Sequence, residues 1–276
     1  MVDRIETSRR RLLGVALGLS IVWAGSAAAV PPPDNWDLRV YFYGWAPMVE
    51  ADGEAEIDGA YFTPEFDTDF SDVFSEWDFG AGGGLDFRYM RFVLLLDGVW
   101  VQSEVEDRLL GAKLDGHLTN VVADGKLGVR VLDRAAPWAG DPASLDAPKV
   151  AIDLLAGVRY WWLRNNAMDL EGLPIGNDLD YQTDVDWWDP LVGARLVIGI
   201  VPSLSFQLVG DVGGFDIGNA SELTWMVNPT LNWQPFEHVS FFAGYKHLRA
   251  DRERPRTNQD LDYELSGPTV GLGVHF

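Results

Sequence analysis

The sequence predicts an all-β chain in which about ten antiparallel strands close up-and-down into a transmembrane barrel. Three observations carry that reading: a repeated strand motif, an export segment at the N-terminus, and an alternating last strand ending in an aromatic residue. The motif occurs as Asp124-x-x-x-Gly128-x-Arg130, Asp153-x-x-x-Gly157-x-Arg159 and Asp189-x-x-x-Gly193-x-Arg195. In a helix spacings of four and six would scatter these residues, whereas in a strand every even spacing lands on one face. The other parity is apolar: Val121, Ala123, Gly125, Leu127, Val129 and Val131 in the first copy, Val150, Ile152, Leu154, Ala156, Val158 and Tyr160 in the second. The third copy continues with Pro190, Val192, Ala194, Leu196, Ile198 and Ile200. Strands with one charged and one apolar face make either a soluble sandwich with the apolar side inside or a membrane barrel with it outside.

The N-terminus favours the barrel. Arg9, Arg10 and Arg11 precede an apolar run from Leu12 to Gly25, and Ala27-Ala28-Ala29 supplies small residues for cleavage. Residues 1–29 therefore read as a cleaved secretory signal and residues 30–276 as a single barrel domain. The run is too short for a membrane anchor, and no later stretch has the roughly 18 consecutive apolar residues of a spanning helix. Ser8-Arg9-Arg10-Arg11-Leu12-Leu13 also resembles a twin-arginine signal, although an unfolded barrel precursor needs no folded-state exporter; both export routes stay open. The absence of cysteine fits a chain that crosses an oxidising compartment unfolded.

The elements follow in order. After cleavage 247 residues remain, and at about 9 to 11 residues per spanning strand plus loops they accommodate ten to twelve strands. Alternation places strands near 36–47, 78–89, 91–104, 117–132, 149–164, 185–200, 203–213, 221–233, 238–250 and 262–276. Three connections are tight: Tyr89-Met90-Arg91, Val201-Pro202-Ser203 and Gln234-Pro235-Phe236-Glu237. Such barrels keep short turns on the periplasmic side and long loops outside, so both termini are expected in the periplasm. The link from Asp133 to Pro148 is long for a turn, and residues 53–63 have the makings of an extra hairpin, which keeps twelve strands as the alternative. Trp100, Trp161, Trp162, Trp187, Trp188, Trp225 and Trp233 lie near strand ends, where amphipathic rings suit the headgroup level.

The last strand, Thr269-Val270-Gly271-Leu272-Gly273-Val274-His275-Phe276, resembles the assembly signal of Gram-negative outer-membrane β-barrels. Phe276, Val274 and Gly271 fill its terminal aromatic, apolar and glycine places. The resemblance implies the cell outer membrane as location and the barrel-assembly machinery as a partner of this strand. Tyr43-Gly44-Trp45-Ala46-Pro47, Asp69-Phe70-Ser71-Asp72, Trp188-Asp189-Pro190-Leu191-Val192-Gly193 and Gly244-Tyr245-Lys246-His247-Leu248 also look like segments of small outer-membrane barrel proteins of unassigned activity. That likeness spans most of the chain, and its motifs are structural, so they carry no catalytic residue across.

Extending the parity collects an inward set. The acids are Asp86, Asp97, Asp124, Asp153, Asp189 and Asp211; the bases are Arg39, Arg88, Lys126, Arg130, Arg159, Arg195 and Lys246. A narrow barrel holds little water, so these charges must pair or cost several kcal/mol each. One antiparallel register sets Asp124 opposite Arg159 and Arg130 opposite Asp153, and the next sets Asp189 opposite Arg159 and Arg195 opposite Asp153. The expectation is a charge ladder filling a largely closed lumen, with each motif glycine leaving room beside a guanidinium stem. Side-chain filling is the plainer role for such a ladder; a narrow conduit for a small solute or ion is the alternative.

From Glu50 to Asp78 the chain carries eleven acids and no Lys or Arg. Within this first external loop Phe70, Val73, Phe74 and Trp77 recur at helical spacing, predicting a short amphipathic helix at the barrel mouth. Residues 1–29 hold four bases and two acids, so the remainder has 17 bases and 40 acids, a net charge of −23. Nucleic acid is excluded as a partner. Carboxylates beside anionic lipopolysaccharide repel unless divalent cations bridge them, which makes the acidic loops candidate hard-cation sites. Their spacing does not match an EF-hand loop, and a solvated acidic face is the plainer reading. Outer-membrane lipid and lipopolysaccharide are the expected surroundings, the barrel is expected to be a monomer, and no cofactor is expected.

Four histidines bound the enzymatic alternatives. His275 and His238 fall at the turn end, away from an external active site. His117 and His247 lie near the outer rim, and catalysis by either requires a carboxylate and a hydroxyl in reach. The ten-strand count resembles that of omptin proteases, but their paired Asp-Asp and Asp-His arrangement is missing from the expected strands. No enzyme is expected.

Overall fold

A computed structural model of the chain describes residues 36–53, 55–57, 60–62, 65–67, 80–109, 112–140, 148–171, 183–254 and 259–276. The expected signal segment, residues 1–29, and the stretch from Phe70 to Trp77 expected to form a short helix lie outside the described residues. Every regular element described is a strand. They are β1 (Trp36–Trp45), β2 (Met48–Gly53), β3 (Ala55–Ile57), β4 (Ala60–Phe62), β5 (Glu65–Asp67), β6 (Gly80–Tyr89) and β7 (Phe92–Leu109). The rest are β8 (Ala112–Ala135), β9 (Lys149–Glu171), β10 (Thr183–Val201), β11 (Leu204–Gly214), β12 (Leu223–Phe236), β13 (Val239–Arg254) and β14 (Gln259–His275).

Ten of them, β1 and β6 through β14, pair antiparallel with their neighbours, and β1 pairs with β14 to close the barrel. The expected hairpin within 53–63 forms as β3 and β4, but as a separate two-stranded sheet that adds nothing to the barrel wall. Ten strands, not twelve, therefore surround the lumen. β1 and β2 run against β14 in one register, Trp45 opposite Thr269 and Met48 opposite Ser266, interrupted only at Ala46-Pro47. Proline, lacking an N–H, cannot continue a ladder on both sides.

Trp36 and Phe276 sit at the same end as the tight turns. Met90 takes a left-handed φ of 54° to turn β6 into β7, and the Phe276 N–H donates to Leu38 O at 2.9 Å. At the opposite end the wall is uneven. β8 and β9 run for 24 and 23 residues, more than twice β1 and β6 at 10 each, so they project well past a spanning length of about 10 residues.

Parity divides the side chains as expected. Phe42, Phe92, Leu127, Leu154, Val192, Leu231, Phe241, Val270 and Leu272 face outward and are exposed, while Asp124, Lys126, Asp153, Arg159, Asp189, Arg195 and Lys246 are buried in the lumen. The tryptophans divide too. Trp100, Trp188 and Trp233 are exposed on the outer wall, but Trp161 and Trp187 are buried inside, which corrects their placement at the headgroup level.

The motif glycines serve a different purpose from clearance of a guanidinium. A Cβ on Gly157 would lie 2.0 Å from Gly125 O, one on Gly193 2.4 Å from Gly210 O, and one on Gly128 2.5 Å from Leu154 O. Each removes a side chain where the neighbouring backbone crowds the concave face. Gly157→Ala should lower the urea midpoint, costing about 1–3 kcal/mol of stability by overpacking. Gly44→Ala, whose new methyl meets nothing within 4 Å, should leave the midpoint unchanged.

Candidate functional site: the charged lumen

The register of β8 and β9 sets Asp124 opposite Arg159 and Arg130 opposite Asp153; that of β9 and β10 sets Asp189 opposite Arg159 and Arg195 opposite Asp153. These are the cross-strand pairs that the motif spacing predicts. The side chains then sort into layers along the barrel axis.

The central layer is a closed ring of four charges. Arg159 donates to Asp124 at 2.7 and 2.9 Å and to Asp211 at 2.9 Å, and Lys126 Nζ lies 2.6 Å from Asp124 and 2.9 Å from Asp211. Thr224 Oγ1 accepts another Arg159 N–H at 3.2 Å. Two cations and two carboxylates are thus matched to one another, as burial requires. Nearer the turn end, Asp153 accepts from Arg130 at 2.8 Å and from Arg195 at 2.7 Å. Arg195 also bonds Asp86, and Arg130 reaches Asp133 at 3.2 Å. A third group joins Lys246 to Asp97 and to the Tyr43 hydroxyl at 3.1 Å, with Tyr43 donating to Asp97 at 3.0 Å. Arg88 sits on the turn-end rim, 3.6 Å from Asp37.

Asp189 departs from the ladder. Although Arg159 lies opposite, no cation bonds Asp189 among the described residues. Its carboxylate accepts four hydrogen bonds instead: from Ser221 N (2.7 Å), Ser221 Oγ (2.9 Å), Trp161 Nε1 (2.8 Å) and Trp187 Nε1 (3.1 Å). Four donors offset the loss of hydration, which is the alternative to a counter-ion for a buried carboxylate. They also dock the β11–β12 connection onto the lumen, where Phe215 and Asp216 hold φ of 61° and 53° and Arg252 donates to Asn219 at 2.9 Å.

Above this layer, toward the loop end, aromatic and aliphatic side chains dominate the lumen, with Asn120 donating to the Tyr263 hydroxyl and the Arg252 guanidinium 4.5 Å over the Trp187 ring. Trp161 and Trp187 stack at 5.4 Å, and Tyr263 meets Trp161 edge-on at 6.2 Å. With Trp45, Val101, Leu248 and Leu265 they form a plug in which no residue is more than 2% exposed. Below it a cavity of about 80 Å³ borders Lys126, Asp97 and Arg39, and a second of about 280 Å³ opens at the turn end. Both are bordered by Arg39, Asp86, Arg195, Gln207 and Asn232.

Outside the apolar band, Arg164 donates to Asp184 at 2.9 and 3.0 Å, and that bond holds the Asp184 carboxyl below its ordinary range. The histidines take distinct places. His247 faces outward, stacked on Trp225 at 4.5 Å with Nε2 3.2 Å from Glu264, and no hydroxyl bonds it among the described residues. The side chain of His117 lies outside those residues. His275, which sequence position alone sets aside, lines the turn-end cavity with Nε2 2.9 Å from Ser240 Oγ. Its parity with Gly273 and Gly271 is the signal that assigns it inward. The side chains of most of the acidic run, residues 51–78, lie outside the described residues; among those described, no cluster of three or more His, Asp or Glu could hold a metal ion.

Replacing Arg159 by alanine leaves two buried carboxylates, Asp124 and Asp211, sharing the single Lys126 cation and should destabilise the barrel by about 3–5 kcal/mol, read as a lower urea midpoint. The exposed Arg164→Ala should leave that midpoint in place.

No protein-family model matches the chain, and no curated protein matches it. Among solved structures, the outer membrane protease OmpT from Escherichia coli is similar over 87% of this chain and 97% of its own, with a TM-score of 0.52 and 7% identity. The outer membrane protein OprG from Pseudomonas aeruginosa matches over 87% of this chain and 95% of its own at 14% identity, with a TM-score of 0.40. At 7% identity the likeness to OmpT is one of architecture. A closed ten-stranded antiparallel wall, apolar outside and salt-bridged within, gives the chain the fold of the Gram-negative outer-membrane β-barrels.

Proposed function

We propose that the protein is a resident outer-membrane barrel with a sealed lumen, serving a structural or envelope-interaction role and not solute transport. The observation that carries this reading is the loop-end plug, seven side chains from β1, β7, β9, β10, β13 and β14 that are each at most 2% exposed. Beneath it lies the ion-pair ring, in which every charge is already held by its partners. Moving an ion through would require the indoles and the ring to part together. The apolar outer band supports residence in lipid, and the tight turns beside Trp36 and Phe276 support a periplasmic orientation for that end. Gly271, Val274 and Phe276 are the proposed contact for the barrel-assembly machinery. Lipopolysaccharide, with divalent cations at the acidic loops, is the proposed partner at the opposite end. The barrel works as a monomer, takes no nucleic acid or cofactor and performs no chemistry of its own; His247, on the outer face beside Glu264 with no bonded hydroxyl among the described residues, supports the last of these assignments.

Single-channel recording in planar bilayers tests the reading. The folded wild type, verified by its heat-resistant mobility on gels, should be silent, and Trp161→Ala/Trp187→Ala should conduct. Discrete openings from the wild type would make it a channel instead.

A further inference from the structure

We propose that the turn-end vestibule binds a small oxyanion, a phosphate- or carboxylate-bearing solute, through Arg39. Five bases and three acids border the 280 Å³ cavity, a local excess of positive charge in a chain of net charge −21. All three acids are engaged: Asp86 with Arg195, Asp37 with Arg88 and Asp133 with Arg130. Arg39 is not. Its guanidinium lies over the rings of Tyr41 and Phe242 at 5.4 and 5.1 Å, and its buried Nε has no hydrogen-bond partner.

A guanidinium held against aromatic faces, without an acceptor, is presented for planar recognition of an oxyanion. The surrounding groups extend the site. Gly273 lacks a side chain where a Cβ would meet Arg39 Nε at 2.5 Å and Ser240 Oγ at 2.8 Å, so donor and hydroxyl converge over the same bare backbone. Ser240 is bonded to His275 Nε2, and Gln207 and Asn232 add amides where the vestibule meets the inner chamber. That chamber also presents Asn228 Oδ1 and Thr269 Oγ1 without partners, so a ligand's polar body finds both donors and acceptors. The volume is near the lower end of ligand sites, roughly 300–1,000 Å³, which limits the guest to a small molecule. The plug closes the far side, making this a blind pocket entered from the turn end. The site does not depend on the absence of conductance, so its failure would leave the sealed-barrel reading untouched.

Isothermal titration of inorganic phosphate, and separately citrate, into the folded barrel in neutral detergent provides the test, with chloride at matched ionic strength as control. Saturable one-to-one heat is expected with at least one of the two oxyanions and none with chloride. Arg39→Gln should weaken it by about tenfold or more, the loss of one charge-assisted contact, whereas Arg164→Gln at the other end should not change it. Gly273→Ala, which displaces only the end of the Arg39 side chain and the Ser240 hydroxyl, is a second perturbation and should weaken binding likewise if Arg39→Gln fails to fold. No saturable heat with either oxyanion would overturn the proposal and leave water as the occupant; so would binding that neither vestibule variant alters.

Discussion

The rest of the structure depends on one constraint: a ten-stranded barrel packed with its own side chains leaves too little water to hydrate the charges that face inward. Each inward charge must therefore find its partner in protein. The ring of Lys126, Asp124, Arg159 and Asp211 meets the constraint by closing on itself, each carboxylate shared by both cations. Deleting any one member leaves an excess buried charge behind, so the ring ties β8, β9 and β11 together more firmly than its net contribution over a hydrophobic isostere suggests. Asp189 meets the same constraint with neutral donors, and its four hydrogen bonds tie the indoles of the plug to Ser221 of the β11–β12 connection.

Filling the lumen also requires places with no side chain. β6 offers Gly80, Gly82 and Gly84 inward, and a Cβ on Gly82 would stand 2.3 Å from the Tyr43 ring while one on Gly84 would stand 2.5 Å from the Tyr41 hydroxyl. β1 thus lays its tyrosines over a stripped neighbour, and both hydroxyls reach Asp97 on β7. Large and small positions alternate across the seam because packing, not sequence order, decides which strand supplies the bulk.

The two ends of the lumen differ as a result. Aromatic and aliphatic side chains seal the loop end, where the β11–β12 connection is drawn in by Ser221. The turn end keeps its charges around an open vestibule, and there Arg39, stacked on Tyr41 and Phe242, makes no ion pair among the described residues. Stability sits in the closed layers and recognition at the open one, where a guanidinium remains available.

Sequence by itself determined the faces and the neighbours. Period-two alternation assigned each motif residue to lumen or lipid, and matched spacings of six between Asp and Arg fixed the register of β8, β9 and β10, because a one-residue slip would exchange the two faces. The inward position of Trp161 was equally legible, since it stands two residues from Arg159, as Trp187 does from Asp189; nearness to a strand end was the weaker guide. Contacts across the lumen were not legible. Arg159 to Asp211 spans 52 residues and Lys246 to Asp97 spans 149, and no local pattern specifies which inward side chains meet once the wall curves. Only the tertiary structure decided that Asp189 takes indoles instead of arginine, that the motif glycines admit neighbouring backbone, and that Arg39 is left facing a cavity. The physical reason is closure: alternation is a property of one strand, whereas the occupants of the interior are chosen by the radius and stagger of all ten.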